Sequence, residues 1–445
     1  METLNDQLSA QEPPIAPPSE SRFKVTANTD LKKFFYKPMA MHLSEASEVL
    51  DDRIDEFLSL VQAHHSLEDT AFGNAASQST SEIVAVGRIA SDTVEGKLNA
   101  ASMVLETSRR IGAGLRVPLK VEGVPSHEFF PGQIVALRGV NASGDYFSVK
   151  EVLEIPLLPS AASVPATVDS INERLGVGGD DHSGSTGNLN ILLGSGPYTA
   201  DDNLAFEPLH ALCDKASETY ADALILIGPL FDTEHPLIAA GDFDLPDDAG
   251  IEPDQATLTD AFRVMVGGPL RRLAQEVPSV IIILIPSVRD AVNKHVSWPQ
   301  EPFSKKELGL PKQAKIVSNP VTVSLNEIVV GISAQDILWE LRREEVVIGA
   351  PKESNVLARL PKHLIQQRHF FPLFPPVNRT LLPKTGTEGG LATGMPMDVS
   401  YLKLGEWLNV RPDVLITPSA LSPFAKVRPQ IRFRMCLTDT RQTRL

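Results

Sequence analysis

Cysteine is nearly absent: Cys213 and Cys436 are the only two in 445 residues. Two thiols cannot build a zinc module on their own, and their scarcity suggests a reducing compartment. Cys213 falls on the apolar face of a predicted helix, where a buried free thiol is expected. Long apolar runs are missing too. No stretch reaches 18 apolar residues, so no membrane span is expected. An excess of positive charge is also missing, since the net charge is −15. Such a chain does not attract nucleic acid through its overall field and would need a local basic patch. Aromatic residues make up 6% of the chain, and no basic stripe interleaves them, which favours a protein partner over DNA. The N-terminus is acidic and rich in proline, unlike a signal peptide. What remains is a chain 42% hydrophobic and 22% charged, long enough for two or three domains with cores of their own.

The positive signal is concentrated in residues 189–235. Two short apolar runs, Ile191–Leu193 and Ala223–Ile227, each end at glycine, as buried strands of an α/β sheet do. Between them Leu209, Leu212, Cys213, Ala216 and Tyr220 recur at helical spacing, with Asp201 or Asp202 as the expected cap. Strand, helix and strand make a βαβ unit, whose loops at the strand C-terminal ends are where such folds place their sites. Here the first loop reads Gly196-Pro197-Tyr198-Thr199 and the second Gly228-Pro229-Leu230-Phe231-Asp232. A third strand, Val280–Ile285, runs into Pro286-Ser287-Val288-Arg289-Asp290. Little in these loops could do chemistry.

The order of these loops resembles the calcineurin-like metallophosphoesterases, whose loops read D-x-H, G-D-x-x-D, G-N-H-D/E, a lone H and G-H-x-H. Against that pattern Gly196 and Tyr198 stand where the first Asp and His belong, and Pro229 replaces the bridging Asp while Asp232 remains. Arg289 takes the place of the His, with Asp290 kept. The later loop, Gly331-Ile332-Ser333-Ala334-Gln335-Asp336, has no His, and Pro418-Ser419-Ala420-Leu421 replaces G-H-x-H. A two-metal site needs several carboxylates and imidazoles converging on two cations. Gly196, Tyr198, Pro229, Asp232, Arg289, Asp290, Ser333, Ser419 and Leu421 are therefore expected to mark a degenerate former metal site, with no catalytic residue, metal or cofactor. His235 and His295, with Asp232 and Asp290, are the only candidates for a residual single-metal site; a His bonded to backbone is the commoner case. Asp242, Asp244, Asp247, Asp248, Glu252 and Asp254 do not follow an EF-hand order and read as a solvated acidic loop.

Taken in order, residues 1–40 read as a disordered or linker N-terminus. A helix follows along Leu43, Ala46, Leu50, Ile54, Phe57, Leu58 and Val61, capped by Ser44. Five short β runs between Glu82 and Leu153, punctuated by glycine, suit an OB-fold, so 41–155 is a helix-plus-barrel domain. Single-strand binding by such a barrel needs exposed aromatics beside cations. The candidates Phe129, Phe130, Tyr146 and Phe147 read as core for at least half, which favours a protein contact. Residues 156–187 are a Pro/Gly/Ser-rich linker, 188–427 the phosphoesterase-like domain, and 428–445 a basic tail.

Gly196-Pro197-Tyr198-Thr199, Gly228–Asp232, Pro286–Asp290 and Gln367-Arg368-His369-Phe370-Phe371-Pro372-Leu373-Phe374-Pro375-Pro376 together resemble the B (regulatory) subunits of DNA polymerase alpha, over roughly residues 40–427. Phe130-Pro131-Gly132-Gln133 before a barrel strand adds to the likeness. The resemblance implies an OB-fold barrel docked on an α/β sandwich of metallophosphoesterase type that has lost its metal ligands. It implies a nuclear, non-enzymatic role in starting DNA replication, gripping the C-terminal domain of the polymerase catalytic subunit with the primase subunits nearby, and touching DNA only indirectly or weakly. The alternatives are an active metal-dependent phosphoesterase and the corresponding accessory subunit of polymerase delta or epsilon. Against the family pattern, the sequence after Val427 is expected to lack the strands that complete the sheet, and an N-terminal helical module is expected to be absent.

Overall fold

A computed structural model describes residues 16–18, 20–93, 96–161, 164–166, 169–170, 173, 189–246, 249–292, 296–351, 353–381, 395–407, 409–428 and 431–436. Residues 22–34 form a strap on a domain whose remainder lies more than 150 residues downstream. Strand β1 (Val25–Ala27) pairs antiparallel with residues 323–325. Arg22 forms a two-pronged ion pair with the buried Asp222, at 3.0 and 2.8 Å. Phe23 and Phe34 are buried. Residues 20–40 are thus not the disordered linker that their polar composition suggests. Two aromatic anchors and one edge strand order them, a signal that composition dilutes.

Helix α1 (Leu43–His65) begins two residues earlier than a cap at Ser44 would place it, with His42 in the cap position. The backbone amide of His42 donates to the Glu45 carboxylate at 2.7 Å. Ile54, Phe57 and Val61 bury one face of α1 against Val84, Val86, Ile134 and Ala136 of the barrel. Three such side chains are worth about 5–9 kcal/mol as an upper bound. That holds the helix in place where propensity alone would leave it marginal.

The barrel is built from β2 (Ser79–Ser91), β3 (Met103–Glu106), β4 (Arg116–Lys120), β6 (Ile134–Asn141) and β7 (Phe147–Leu153), closed in the order β2-β3-β4-β7-β6. The short helix α2 (Arg109–Gly112) and strand β5 (Ser126–Phe129) lie in its connections. Of the four aromatics in question, Phe129, Phe130 and Phe147 are wholly buried. Lys120 covers the ring of Tyr146 at 3.5 Å.

The larger domain is a sandwich of two sheets. Strands β8 (Ile191–Ser195), β9 (Ala223–Ile227), β10 (Ile281–Ile285) and β11 (Ala314–Ile316) form a parallel sheet in the order β11-β10-β9-β8. Its helices are α3 (Glu207–Glu218), α4 (Pro236–Ala240), α5 (Leu258–Met265) and α6 (Gly267–Glu276). The second sheet runs β1, β12 (Val321–Leu325), β13 (Ile328–Ile332), β15 (Val414–Ile416), β17 (Ile431–Cys436) and β16 (Ala425–Arg428). The period of two decides which side chain goes where. Ala223, Ile225, Ile227, Ile283 and Ile285 face the second sheet, while Leu224, Leu226, Ile282 and Leu284 face the helices. Helix α3 starts after Phe206, which is buried against Phe231, and has Pro208 in its first turn. The expected cap at Asp201 or Asp202 does not form, because burial of Phe206 sets the entry point.

The expectation of a missing sheet end is also corrected. Strand β17 pairs parallel with β15, Val414 opposite Arg434 and Ile416 opposite Cys436, and β16 pairs antiparallel with β17. The run Ile431-Arg432-Phe433-Arg434-Met435 alternates apolar and charged residues with the strand period; its arginines conceal the pattern from a reading by composition. Residues 437–445 lie outside the described residues, as do 174–188 of the expected linker.

Barrel and sandwich are joined edge to edge. Strand β14 (Val346–Gly349), between helices α7 (Ile337–Glu344) and α8 (Val356–Gln367), pairs antiparallel with β5 of the barrel domain. The Gln367 side chain makes both hydrogen bonds of a missing strand partner, accepting from Ile134 N at 2.9 Å and donating to Ile134 O at 3.0 Å. Phe130 plugs into the cluster of Leu360, Leu364, Phe371 and Leu373. Arg53 of α1 bonds Glu406 at 2.5 Å and Gln367 O at 2.6 Å. Cleaving an engineered protease site within 174–188 is therefore expected to leave the two fragments in one peak on a sizing column. Their separation without denaturant would contradict this joint.

Candidate functional site

The cleft lies where β8, β9, β10, β13 and β15 end. After β8, Gly196 N donates to Ile227 O at 2.8 Å. A side-chain carbon on Gly196 would sit 1.9 Å from Pro229 O. The first two loops are thus packed backbone to backbone at Gly196 and Pro229, leaving no room for a ligating side chain. Tyr198 is buried and its hydroxyl donates to Ile227 O at 3.1 Å. Burial pushes its pKa well above the ordinary value.

The two aspartates of these loops, Asp232 and Asp290, are already satisfied. Asp232 accepts Nε of Arg289 at 3.0 Å and is also bonded by Nη2 of Arg289, which lies 3.3 Å from Glu234. The guanidinium supplies fixed positive charge where a cation would otherwise be attracted, in the planar paired geometry that arginine favours. Asp290 accepts three backbone amides, Leu230 at 2.6 Å and Phe231 at 2.9 Å on one oxygen and Ser287 at 2.7 Å on the other. It staples the loops after β9 and β10 together. Burial raises the Asp290 carboxyl to about 7, against the three amides that pull it down. His235 is buried, with Nε2 donating to Ala200 O at 2.8 Å and Nδ1 accepting from Leu237 N at 3.3 Å. Both nitrogens serve the backbone. His295 lies outside the described residues.

Neutral groups fill the remaining positions. Ser333 is buried and its hydroxyl meets Asn319 Oδ1 at 3.3 Å. Asn319 also bonds Gln300, which donates to Ser287 O at 2.9 Å. Ser419 accepts from Leu421 N at 3.2 Å, and Leu421 itself joins the apolar cluster with Trp407 and Phe424. The structure therefore gathers Gly196, Tyr198, Pro229, Asp232, Arg289 and Asp290 on one side and Ser333, Ser419 and Leu421 on the other. Among the described residues, no group of three His, Cys, Asp or Glu converges as metal ligands would. Gln300 and Asn319 were not legible in advance, since isolated amides carry no motif.

Replacing Asp290 by asparagine tests the staple. An amide nitrogen would face a backbone N–H, and the unsatisfied group should cost about 1–3 kcal/mol. Because the folded pKa of about 7 exceeds the usual carboxylate value of about 3.9, this carboxyl favours folding fully below about pH 4, and its contribution is lost as pH rises through 7. Thermal melts from acid to neutral pH should thus show a shallower decline for Asp290→Asn than for the natural protein.

The chain thus joins a closed five-stranded barrel to an α/β sandwich of phosphoesterase type, with an arginine paired to an aspartate in its cleft. Residues 47–155 match the family model for the OB domain of the DNA polymerase alpha B subunit, and residues 191–426 match the model for the DNA polymerase alpha/epsilon B subunit. The chain is 38% identical over 437 residues to the DNA polymerase alpha B subunit of Schizosaccharomyces pombe, covering 96% of this chain and 69% of the relative. It is 36% identical over 431 residues to that of Saccharomyces cerevisiae, covering 92% and 59%. With the Bos taurus protein the identity is 28% over 396 residues, covering 88% and 57%. The chain belongs to the family of DNA polymerase alpha B subunits. It spans between about half and about seven-tenths of the length of these relatives.

Proposed function

We propose that this protein is a non-catalytic scaffold subunit of the DNA polymerase alpha–primase complex, acting in the nucleus where DNA strands are started. In this reading it grips the C-terminal domain of the catalytic subunit, keeps the primase subunits close, and meets DNA only indirectly or weakly. The observation that carries it is the pairing of an occupied cleft with a locked joint. Asp232 is neutralised by Arg289 and Asp290 is consumed by three backbone amides. Meanwhile the β5–β14 pairing and Gln367 hold barrel and sandwich as one surface. A rigid two-domain surface lowers the ordering cost of binding a large partner. Co-expression with the catalytic subunit's C-terminal domain should give a complex that survives a sizing column, and separate elution would refute the reading. Phosphodiesterase turnover with added manganese, abolished by Asp232→Ala, would instead make the cleft active.

A further inference from the structure

From Leu31 to Ser44 the sequence carries Lys32, Lys33 and Lys37 and no acid, in a chain of net charge −15. The same stretch exposes Phe35 (62%), Met39 (93%), Met41 (43%) and Leu43 (90%). Single exposed apolar side chains are ordinary, whereas several close together mark contact surfaces. These four are held out by an ordered backbone. Phe34 is buried, and the Tyr36 ring stacks on Tyr401 with centroids 3.7 Å apart. Met39 N donates to Asp398 at 3.0 Å and His42 N to Glu45 at 2.7 Å. The acids bonded to this strip are taken up by backbone amides, Asp30 by Lys32 N, Asp398 by Met39 N and Glu45 by His42 N. Among the described residues no ion pair engages Lys32, Lys33 or Lys37.

We propose that residues 32–43 dock an acidic segment of another protein that carries aliphatic or aromatic anchor residues. Carboxylates of the segment would lie along the three lysines, and its anchors would cover Met39, Met41 and Leu43. Charge complementarity selects this occupant. The strip is a local reversal of sign on an acidic molecule, and screening within about 8–10 Å keeps it distinct from the negative surroundings. A nucleic acid fits less well. It would meet the overall negative field, and Tyr36 and Tyr401 already stack on each other, which leaves Phe35 as the most exposed aromatic of the strip. The fixed backbone lowers the ordering cost on this side of the contact. Docking on this strip is independent of the catalytic-subunit contact proposed above.

The test is selection of a displayed random-peptide library against the full-length chain. Two variants serve as counter-targets: Met39→Ser with Leu43→Ser, and Lys32→Glu with Lys33→Glu and Lys37→Glu. The substituted side chains are exposed, and equal melting temperatures will establish an intact fold. If the first variant melts lower, the lysine variant decides. Enriched peptides should combine Asp or Glu with Leu, Phe or Trp, weaken as salt rises, and lose about tenfold or more in affinity for each intact variant. Failure to enrich such peptides, or equal binding to the variants, would overturn the proposal. So would preferential binding of an oligodeoxythymidylate strand, which would assign the strip to nucleic acid. Concentration-dependent dimerisation abolished by Met39→Ser with Leu43→Ser would also overturn it, by assigning the strip to a second copy of the chain.

Discussion

Gly196→Ala is expected to cost more than about 4 kcal/mol and to yield mostly insoluble protein. The added carbon would lie 1.9 Å from Pro229 O and 2.8 Å from Pro229 C. Both atoms belong to backbone that cannot swing aside as a side chain would. Relief requires moving the loop after β9, and Asp290 holds that loop through Leu230 and Phe231. The loss compares with a net stability of about 5–15 kcal/mol for a whole domain. Gly268→Ala is the matched control. It lies in α6, where a new carbon meets nothing within 4 Å, and alanine there should gain about 0.5–1 kcal/mol. Urea unfolding of both variants beside the natural protein checks the pair. A Gly196→Ala protein of ordinary stability would mean that the two loops separate more easily than their packing indicates.

The second large effect is expected at the joint between the domains. Arg359, Glu345 and His363 are all buried. Arg359 holds Glu345 with two bonds of 2.8 Å, and His363 Nε2 lies 2.8 Å from the same carboxylate. Glu345 immediately precedes β14, so this cluster fixes the strand that receives β5. Arg359→Ala should cost about 3–5 kcal/mol, because it strands a buried carboxylate. Replacing the pair together, Glu345→Gln with Arg359→Met, should cost much less, since no unpaired charge remains. Burial alone would raise the Glu345 pKa, but the bonds from His363 and Arg359 bring it down to about 2. The folded value is below the usual glutamate value of about 4.3, so this contribution is present above that pH and lost as pH falls towards 2. Denaturation curves of the single and double variants at neutral and acid pH test both points. An Arg359→Ala loss no larger than that of the double variant would show the ion pair to be dispensable.

How far the sequence alone reached depended on whether a signal was local. Short unbroken apolar runs announced β9 and β10, and the five glycine-punctuated runs announced the barrel, because apolar runs and turn chemistry are written within a few residues. The scarcity of ligating side chains in the loops around Tyr198, Pro229 and Arg289 was likewise visible from residue type and order. The bonds that fill the cleft were not. Gln300, Asn319 and the amides that hold Asp290 act through partners distant in sequence, and a lone Gln or backbone N–H leaves no pattern. The strap failed for a related reason. Phe23 and Phe34 are two anchors in a polar stretch, and the strand that β1 pairs with lies some 300 residues away. At the other end, Arg432 and Arg434 masked an alternation that the strand period would have revealed.

That strap has a consequence for synthesis. The Lys24 amide donates to the Asn326 side chain across 302 residues of sequence, and β1 finds its place only against β12. On a ribosome moving at about 5–20 residues per second, the N-terminal segment would wait about 15–60 s for its partner to emerge. The barrel meanwhile has all its strands and can close. The sandwich must then be completed by a segment made early returning to one made some 300 residues later. Until it does, one edge of β12 is open to any passing strand, and this is the interval in which a chaperone would have the most to protect.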